Sequence, residues 1–246
     1  MQQFPGGLRQ IGDNPDLVRQ HIQEAQLAGI DGFIVNRASD LAVLLPLART
    51  MGFSVTLQLS GGESELRAFY QYIDDPAMVR YQGHPVLFFW QAGLAGPDLW
   101  RTLRASIDPD HNVLWLADGD KFNILHDDVW DGVSPYAIAW SRSPGGQLVN
   151  WAAQARANGP DKLYVPPVSP GCDDSLVRAP TCVQDRADGA YYQATWEGAI
   201  AARPAWAVVV STFNEWMEAT QIEPSAQYGD QYLRLTREFS DAFKSS

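Results

Sequence analysis

Short apolar runs rich in β-branched and aromatic residues recur along the whole chain and alternate with stretches of helical spacing. The runs fall at residues 32–36, 53–59, 85–90, 112–117, 132–136, 163–168 and 207–212. Helical spacing is found at 15–28, 41–51, 63–72, 97–106, 147–157, 188–202 and 228–243. Asn14 followed by Pro15 is a helix start, and Gly29 and Gly52 are helix stops. Repeated strand–helix units imply a parallel sheet with right-handed crossovers. The length of 246 residues suits one α/β domain, a (β/α)8 TIM-type barrel spanning residues 1–246. Such a barrel needs eight strands, and seven runs are found. The missing strand would precede Asn14, where residues 1–13 are too rich in Gly and Gln to supply a good one. Either the first strand is absent from this sequence or the barrel is open.

Composition removes several function classes. The formal net charge of −11 argues against a nucleic-acid partner, which needs a basic footprint. No apolar run is long enough to cross a membrane, and no basic-then-apolar leader opens the chain. Met1-Gln2-Gln3-Phe4-Pro5 reads as an internal start, with a signal segment or early strand removed, so a secreted or extracytoplasmic location is expected. Cys172 and Cys182 lie in one polar loop, where a disulfide is the favoured reading and free thiols the alternative. The four histidines, His21, His84, His111 and His126, show no metal-ligand spacing, so no metal or cofactor is expected. Oligomeric state stays open, although a barrel short of one strand would present edges for a partner to cover.

Barrels of this kind carry their active sites at the C-terminal ends of the strands. That rule selects Asn36, Gln58, Trp90, Asp118, Tyr136, Trp140, Asp173, Asp174 and Asn214 through Glu218, a polar and aromatic ring suited to a carbohydrate. The last run, Val208-Val209-Val210, reads as a strand buried on both faces that ends in Glu215, Glu218 and Glu223. Glycoside cleavage needs an acid for the leaving oxygen and a second group to trap or stabilise the sugar cation. A Glu-x-x-Glu spacing in a turn places both carboxylates on one side. Glu223 and Gln221 are expected to tie the loop to the barrel. Trp90, Tyr136, Trp140 and Trp216 are candidate sugar platforms, with ordinary packing as the alternative. Asp173, Asp174 and Arg178 are candidate hydroxyl binders or a loop ion-pair network, and Asp118 and Asp120 read as turn residues.

The segment Ser211-Thr212-Phe213-Asn214-Glu215-Trp216-Met217-Glu218-Ala219-Thr220-Gln221-Ile222-Glu223-Pro224 resembles the signature of glycoside hydrolase family 99, the endo-α-mannosidase and endo-α-mannanase family. Residues 28–35, 81–88 and 167–174, with Arg178, Asp185-Arg186 and residues 189–192, are similar to further parts of its pattern. The resemblance implies a (β/α)8 barrel that hydrolyses glycans with retention and without a metal or organic cofactor. It implies Glu218 as general acid/base and Glu215 as the group assisting attack by the sugar 2-hydroxyl. The family's His between the glutamates is Met217 here, and the Gly after them is Ala219. The ends of the third and fourth strands, Gln58-Leu59-Ser60-Gly61-Gly62 and Phe89-Trp90, depart from the family pattern as well. Two functions follow: a retaining endo-acting α-glycosidase, or a catalytically impaired barrel that binds carbohydrate.

Overall fold

The computed structural model describes residues 14–60 and 62–246. Helix α1 (Pro15–Leu27) begins where the Asn14 side chain accepts the amides of Asp16 and Leu17, with Pro15 in the first turn. β1 (Gly32–Val35), α2 (Ala38–Met51), β2 (Ser54–Leu59) and α3 (Glu63–Tyr70) follow. β3 (Arg80–Tyr81) and β4 (His84–Phe89) form an antiparallel hairpin that the spacing does not announce. Then come α4 (Pro97–Ile107), β5 (Leu114–Ala117), β6 (Gly132–Val133), α5 (Pro144–Asn158), β7 (Leu163–Tyr164) and β8 (Pro167–Val168). The last elements are β9 (Cys172–Asp173), β10 (Val183–Gln184), α6 (Ala190–Ala201), β11 (Val209–Val210) and α7 (Gln231–Lys244).

The main sheet runs β1-β2-β4-β5-β6-β7, with every neighbour on that path parallel, and β11 pairs parallel with β8. β7 and β8 are two pieces of the run 163–168. Pro166 and Pro167 have no N–H, so the ladder breaks there, while the Pro166 carbonyl still accepts the Val209 amide at 3.0 Å. β6 is shorter than the expected 132–136. Its Gly132 is pressed so closely on β7 that a Cβ would lie 2.5 Å from the Leu163 carbonyl oxygen. This is the architecture of the (β/α)8 barrel class, with strands inside and helices outside.

Alternation along the strands sorts the core into two layers. Val86, Phe88, Leu116, Leu163 and Val165 cluster with Ile34 and Val209 in the interior of the sheet's curve. Leu87, Phe89, Trp115 and Val133 face the helices, where Phe89 is ringed by Trp100, Trp115 and Trp130 at 4.7–5.1 Å. Most of the tryptophans therefore serve packing.

The last strand corrects one expectation. Val209 and Val210 are half-buried rather than buried on both faces. Among the described residues β11 and β1 share no backbone ladder and approach through Phe33 and Phe213, with ring centroids 5.1 Å apart. A strand paired on one edge only keeps part of its surface exposed. The expected position of a first strand, within residues 1–13, lies outside the described residues.

Candidate active site

The chain leaves β11 and folds into a closed loop. Its base is pinned where the amides of Ile222 and Glu223 both donate to the Phe213 carbonyl, at 3.0 and 3.1 Å, and where Thr212 and Thr220 join their hydroxyls at 2.7 Å. Within the loop, residues 216–219 make a turn, with the Thr220 amide donating to the Glu215 carbonyl at 3.2 Å. Asn214, Glu215 and Glu218 are all half-buried on this turn, and Met217 between the glutamates is exposed. Glu215 Oε1 accepts the Met217 amide at 3.0 Å.

Glu223 is separated from this pair. Its carboxylate is buried, accepts the Trp216 indole N–H, and has its other oxygen 3.2 Å from His21 Nε2 of α1. Trp216 is buried, and its one donor is committed to this scaffold. His21, Glu24 and Glu223 each bring a potential ligand atom within 4.8 Å of the others, a grouping that chain separation hides in the sequence. Both Glu223 oxygens already hold partners, and the arrangement fits a tether from the loop to α1.

Tyr136 and Trp90 stand together, edge to face with centroids 4.7 Å apart. Burial raises the pKa of the Tyr136 hydroxyl, and the negative charges of Glu218 and then Glu215 raise it further. Tyr136 thus lies in the field of both carboxylates. Asp118 is more than a turn residue. Its two oxygens accept the Gln91 amide at 3.1 Å and the Tyr136 amide at 2.8 Å, which ties together the ends of β4, β5 and β6. Burial raises the pKa of Asp118, with the two backbone donors opposing that effect. Ser211 Oγ donates to the Tyr136 carbonyl at 3.2 Å and brings β11 to the same group. Trp140 is exposed, packs against Trp151 of α5 at 5.9 Å, and donates its N–H to the Ala137 carbonyl.

The third contributor is the loop between β8 and α6. Cys172 and Cys182 are joined in a disulfide, and β9 pairs antiparallel with β10 beside it. Asp174 is buried, with Oδ1 accepting the Cys182 amide at 2.6 Å and the Thr181 hydroxyl at 2.7 Å. Its other oxygen lies 3.2 Å from Arg178 Nε, and Arg178 Nη2 donates to Glu218 Oε1. Arg178 has its pKa raised, first by that hydrogen bond and then by the charge of Glu218. Asp173 is exposed; its carboxylate accepts Ser175, which lowers its pKa, and its amide donates to the Glu218 carbonyl at 2.8 Å. Asp174 and Arg178 therefore form the ion-pair network that was one of two readings of these residues.

Arg186 is buried beneath the turn, with Nη2 donating to the carbonyls of Ala219 at 3.0 Å and Gln221 at 2.8 Å. Its guanidinium lies over the rings of Tyr228 and Tyr232, at 4.7 and 4.3 Å. Spacing gives no sign of this role, because the partners lie more than thirty residues away. A cavity of about 620 Å³ opens to one side, over α4 and the segment after β5, with Gln91 and Asp118 as the wall nearest Tyr136.

A parallel barrel with a carboxylate pair at the C-terminal end of its last strand, faced by aromatic and cationic side chains, has the layout of a glycan-acting hydrolase. Comparison with known proteins makes the class specific. The sequence model of glycosyl hydrolase family 99 matches residues 11–244, and the chain belongs to that family. It is 27% identical over 204 residues to the human glycoprotein endo-alpha-1,2-mannosidase-like protein, covering 72% of this chain and 43% of that one. It is 26% identical over 203 residues to the glycoprotein endo-alpha-1,2-mannosidase of Xenopus laevis, covering 72% and 44%. The chain thus spans less than half the length of these relatives. The solved GH99 endo-alpha-mannosidase of Bacteroides thetaiotaomicron superposes with a TM-score of 0.80 at 25% identity, over 95% of this chain and 81% of that one. Among the described residues no helix is long and apolar enough to cross a membrane.

Proposed function

We propose that this chain is a retaining, endo-acting glycoside hydrolase that cleaves α-mannosidic or related α-glycosidic bonds within glycans. The observation that carries the reading is the turn 216–219 and the Glu215 that leads into it. Glu215 and Glu218 lie three residues apart beyond the C-terminal end of the last strand, and both carboxylates act on the Tyr136 hydroxyl, which pairs edge to face with Trp90. Glu218 protonates the glycosidic oxygen as its bond to the anomeric carbon breaks. Glu215 takes the proton of the 2-hydroxyl as that oxygen attacks the same carbon and closes a three-membered ring. Water then opens the ring at the anomeric carbon. Glu218 accepts the water's proton and Glu215 returns its own to the 2-oxygen, so configuration is retained overall. Trp90 and Tyr136 flank the sugar, and Asn214 stands at the entry to the turn. The disulfide supports a secreted or extracytoplasmic location, where such bonds persist.

The exposed Met217, where the family pattern has His, favours a second reading in which the barrel binds glycan without turning it over. Hydrolysis of α-mannooligosaccharides by wild type, Glu218→Gln and Glu215→Gln separates the two. Each variant is expected to lose roughly 10²–10⁴-fold in kcat. Glycan binding with no turnover by wild type would replace the first reading with the second.

A further inference from the structure

The Arg178–Glu218 contact joins two segments forty residues apart and has a built support. The disulfide and the β9–β10 pairing close the segment 172–184. Inside it Asp174 makes a turn in which its carbonyl accepts the amides of Val177 and Arg178, at 2.9 and 3.1 Å. That turn brings the guanidinium back over the Asp174 carboxylate, which is itself fixed by the Cys182 amide and the Thr181 hydroxyl. The planar fork then offers Nε to Asp174 and Nη2 to Glu218, a geometry that a lysine ammonium does not reproduce. The Asp173 amide holds the Glu218 backbone from the same segment at 2.8 Å. Backbone and side chain of one glutamate are therefore both held by the disulfide-closed loop. Among the described residues the Glu215 carboxylate, three residues earlier, accepts the Met217 amide, and its carbonyl accepts the Thr220 amide, all within its own segment.

We propose that Arg178 is a positioning residue for the acid/base Glu218 rather than a sugar-binding residue, and that the disulfide-closed loop exists to present it. The inference rests on the reading of Glu218 as the acid/base. Once Glu218 has given its proton to the departing oxygen, Arg178 is the counter-charge beside it. The pair then holds the carboxylate in place to receive the proton of the attacking water. The other charged or titratable groups near Glu218 are Tyr136 from the segment after β6, Glu215 in its own turn, and Asp173 and Asp174 in the opposing loop. Among the described residues Arg178 is the cation paired with the Glu218 carboxylate, while Arg186 reaches the neighbouring Ala219 carbonyl.

The dependence on leaving group tests this. An oligosaccharide leaving group needs a proton, whereas the glycosyl fluoride of the same sugar departs with little acid assistance. A residue that orients the acid therefore acts on the first and spares the second. Arg178→Gln is expected to lower kcat/KM on the oligosaccharide roughly 100-fold, the scale of a misplaced catalytic group, and on the fluoride by less than about threefold. Arg178→Lys should recover part of the loss. Asp174→Asn, which loosens the fork without touching Glu218, should show the same selectivity at smaller amplitude, and it reads the question if Arg178→Gln folds poorly. Equal losses on both substrates, or a rise confined to KM, would overturn the proposal in favour of substrate binding. No loss on either would show the contact to be idle. Glu218→Gln on the same two substrates keeps the two ideas apart: if it does not spare the fluoride, the acid/base reading fails. If it does and Arg178→Gln does not, the positioning role alone fails.

Discussion

Replacing Ala219 by glycine should stabilise this protein, against the usual sign of such a change. Ala219 follows Glu218, has φ of +51°, and stands where the family pattern carries glycine. An L-residue in this left-handed region puts Cβ against the following carbonyl at a cost of roughly 1–2 kcal/mol. Glycine removes that strain but widens the unfolded ensemble, which returns about 0.4–1 kcal/mol. The difference is a gain of about 1 kcal/mol, equivalent to a rise in Tm of about 2–4 °C for a chain of this size. Ala219 also delivers its carbonyl to Arg186 and its amide to the Trp216 carbonyl at 3.2 Å, and glycine keeps both bonds. Calorimetry on Ala219→Gly beside Ala153→Gly reads the sign. Ala153 is an exposed position of α5, where the same change should cost about 0.5–1 kcal/mol. If both variants lose stability alike, the turn is not held in the conformation described and the account of how Glu218 is presented fails with it.

Two further outcomes follow from packing and loop closure. Gly132→Ala should destabilise by about 1–3 kcal/mol or more in urea titration, since the added methyl meets the Leu163 carbonyl at 2.5 Å and Leu116 Cδ2 at 2.7 Å within the sheet; a neutral result would contradict the β6–β7 register. Breaking the Cys172–Cys182 bond, which closes a loop of sequence separation 10, should lower unfolding free energy by about 3 kcal/mol on the chain-entropy account. The expected companion is a loss of activity on oligosaccharides that exceeds any loss on the fluoride. Full activity under reducing conditions, with the thiols shown free, would contradict the loop's role.

The barrel class could be read from the sequence because its signal is local. Apolar runs and helical spacing repeat, and stops such as Gly52, with φ of +64°, sit where the chain turns. The carboxylate pair was legible for the same reason, since both members lie in one short segment and the strand rule fixes where that segment emerges. The β3–β4 hairpin was hidden because its turn uses Gln82 and Gly83, with φ of +50° and +88°, in place of the Asn-Gly that marks such turns. Asp118 reads as a turn residue because its partners, the amides of Gln91 and Tyr136, come from two other strand ends. Arg178 is legible as an ion-pair candidate within its loop but not as the partner of Glu218, and the role of Arg186 is opaque. Each acts on the 215–221 loop across more than thirty residues, a distance at which spacing carries no information.

Arg186 carries one more consequence. The guanidinium that holds two carbonyls of the carboxylate loop rests on Tyr228 and on Tyr232 of α7. That helix is fastened at its far end by Ser240 and Lys244 to the carbonyl of Gly29, on the turn between α1 and β1. A line of contacts thus runs from the far end of the last helix to the peptide beside Glu218. Fraying of α7 does not stay at the surface: it withdraws the aromatic floor from a desolvated cation, and the loop above loses its anchor. Loosening that helix, for instance by Lys244→Ala with Ser240→Ala, should therefore cost activity on heating before far-UV circular dichroism reports loss of the sheet.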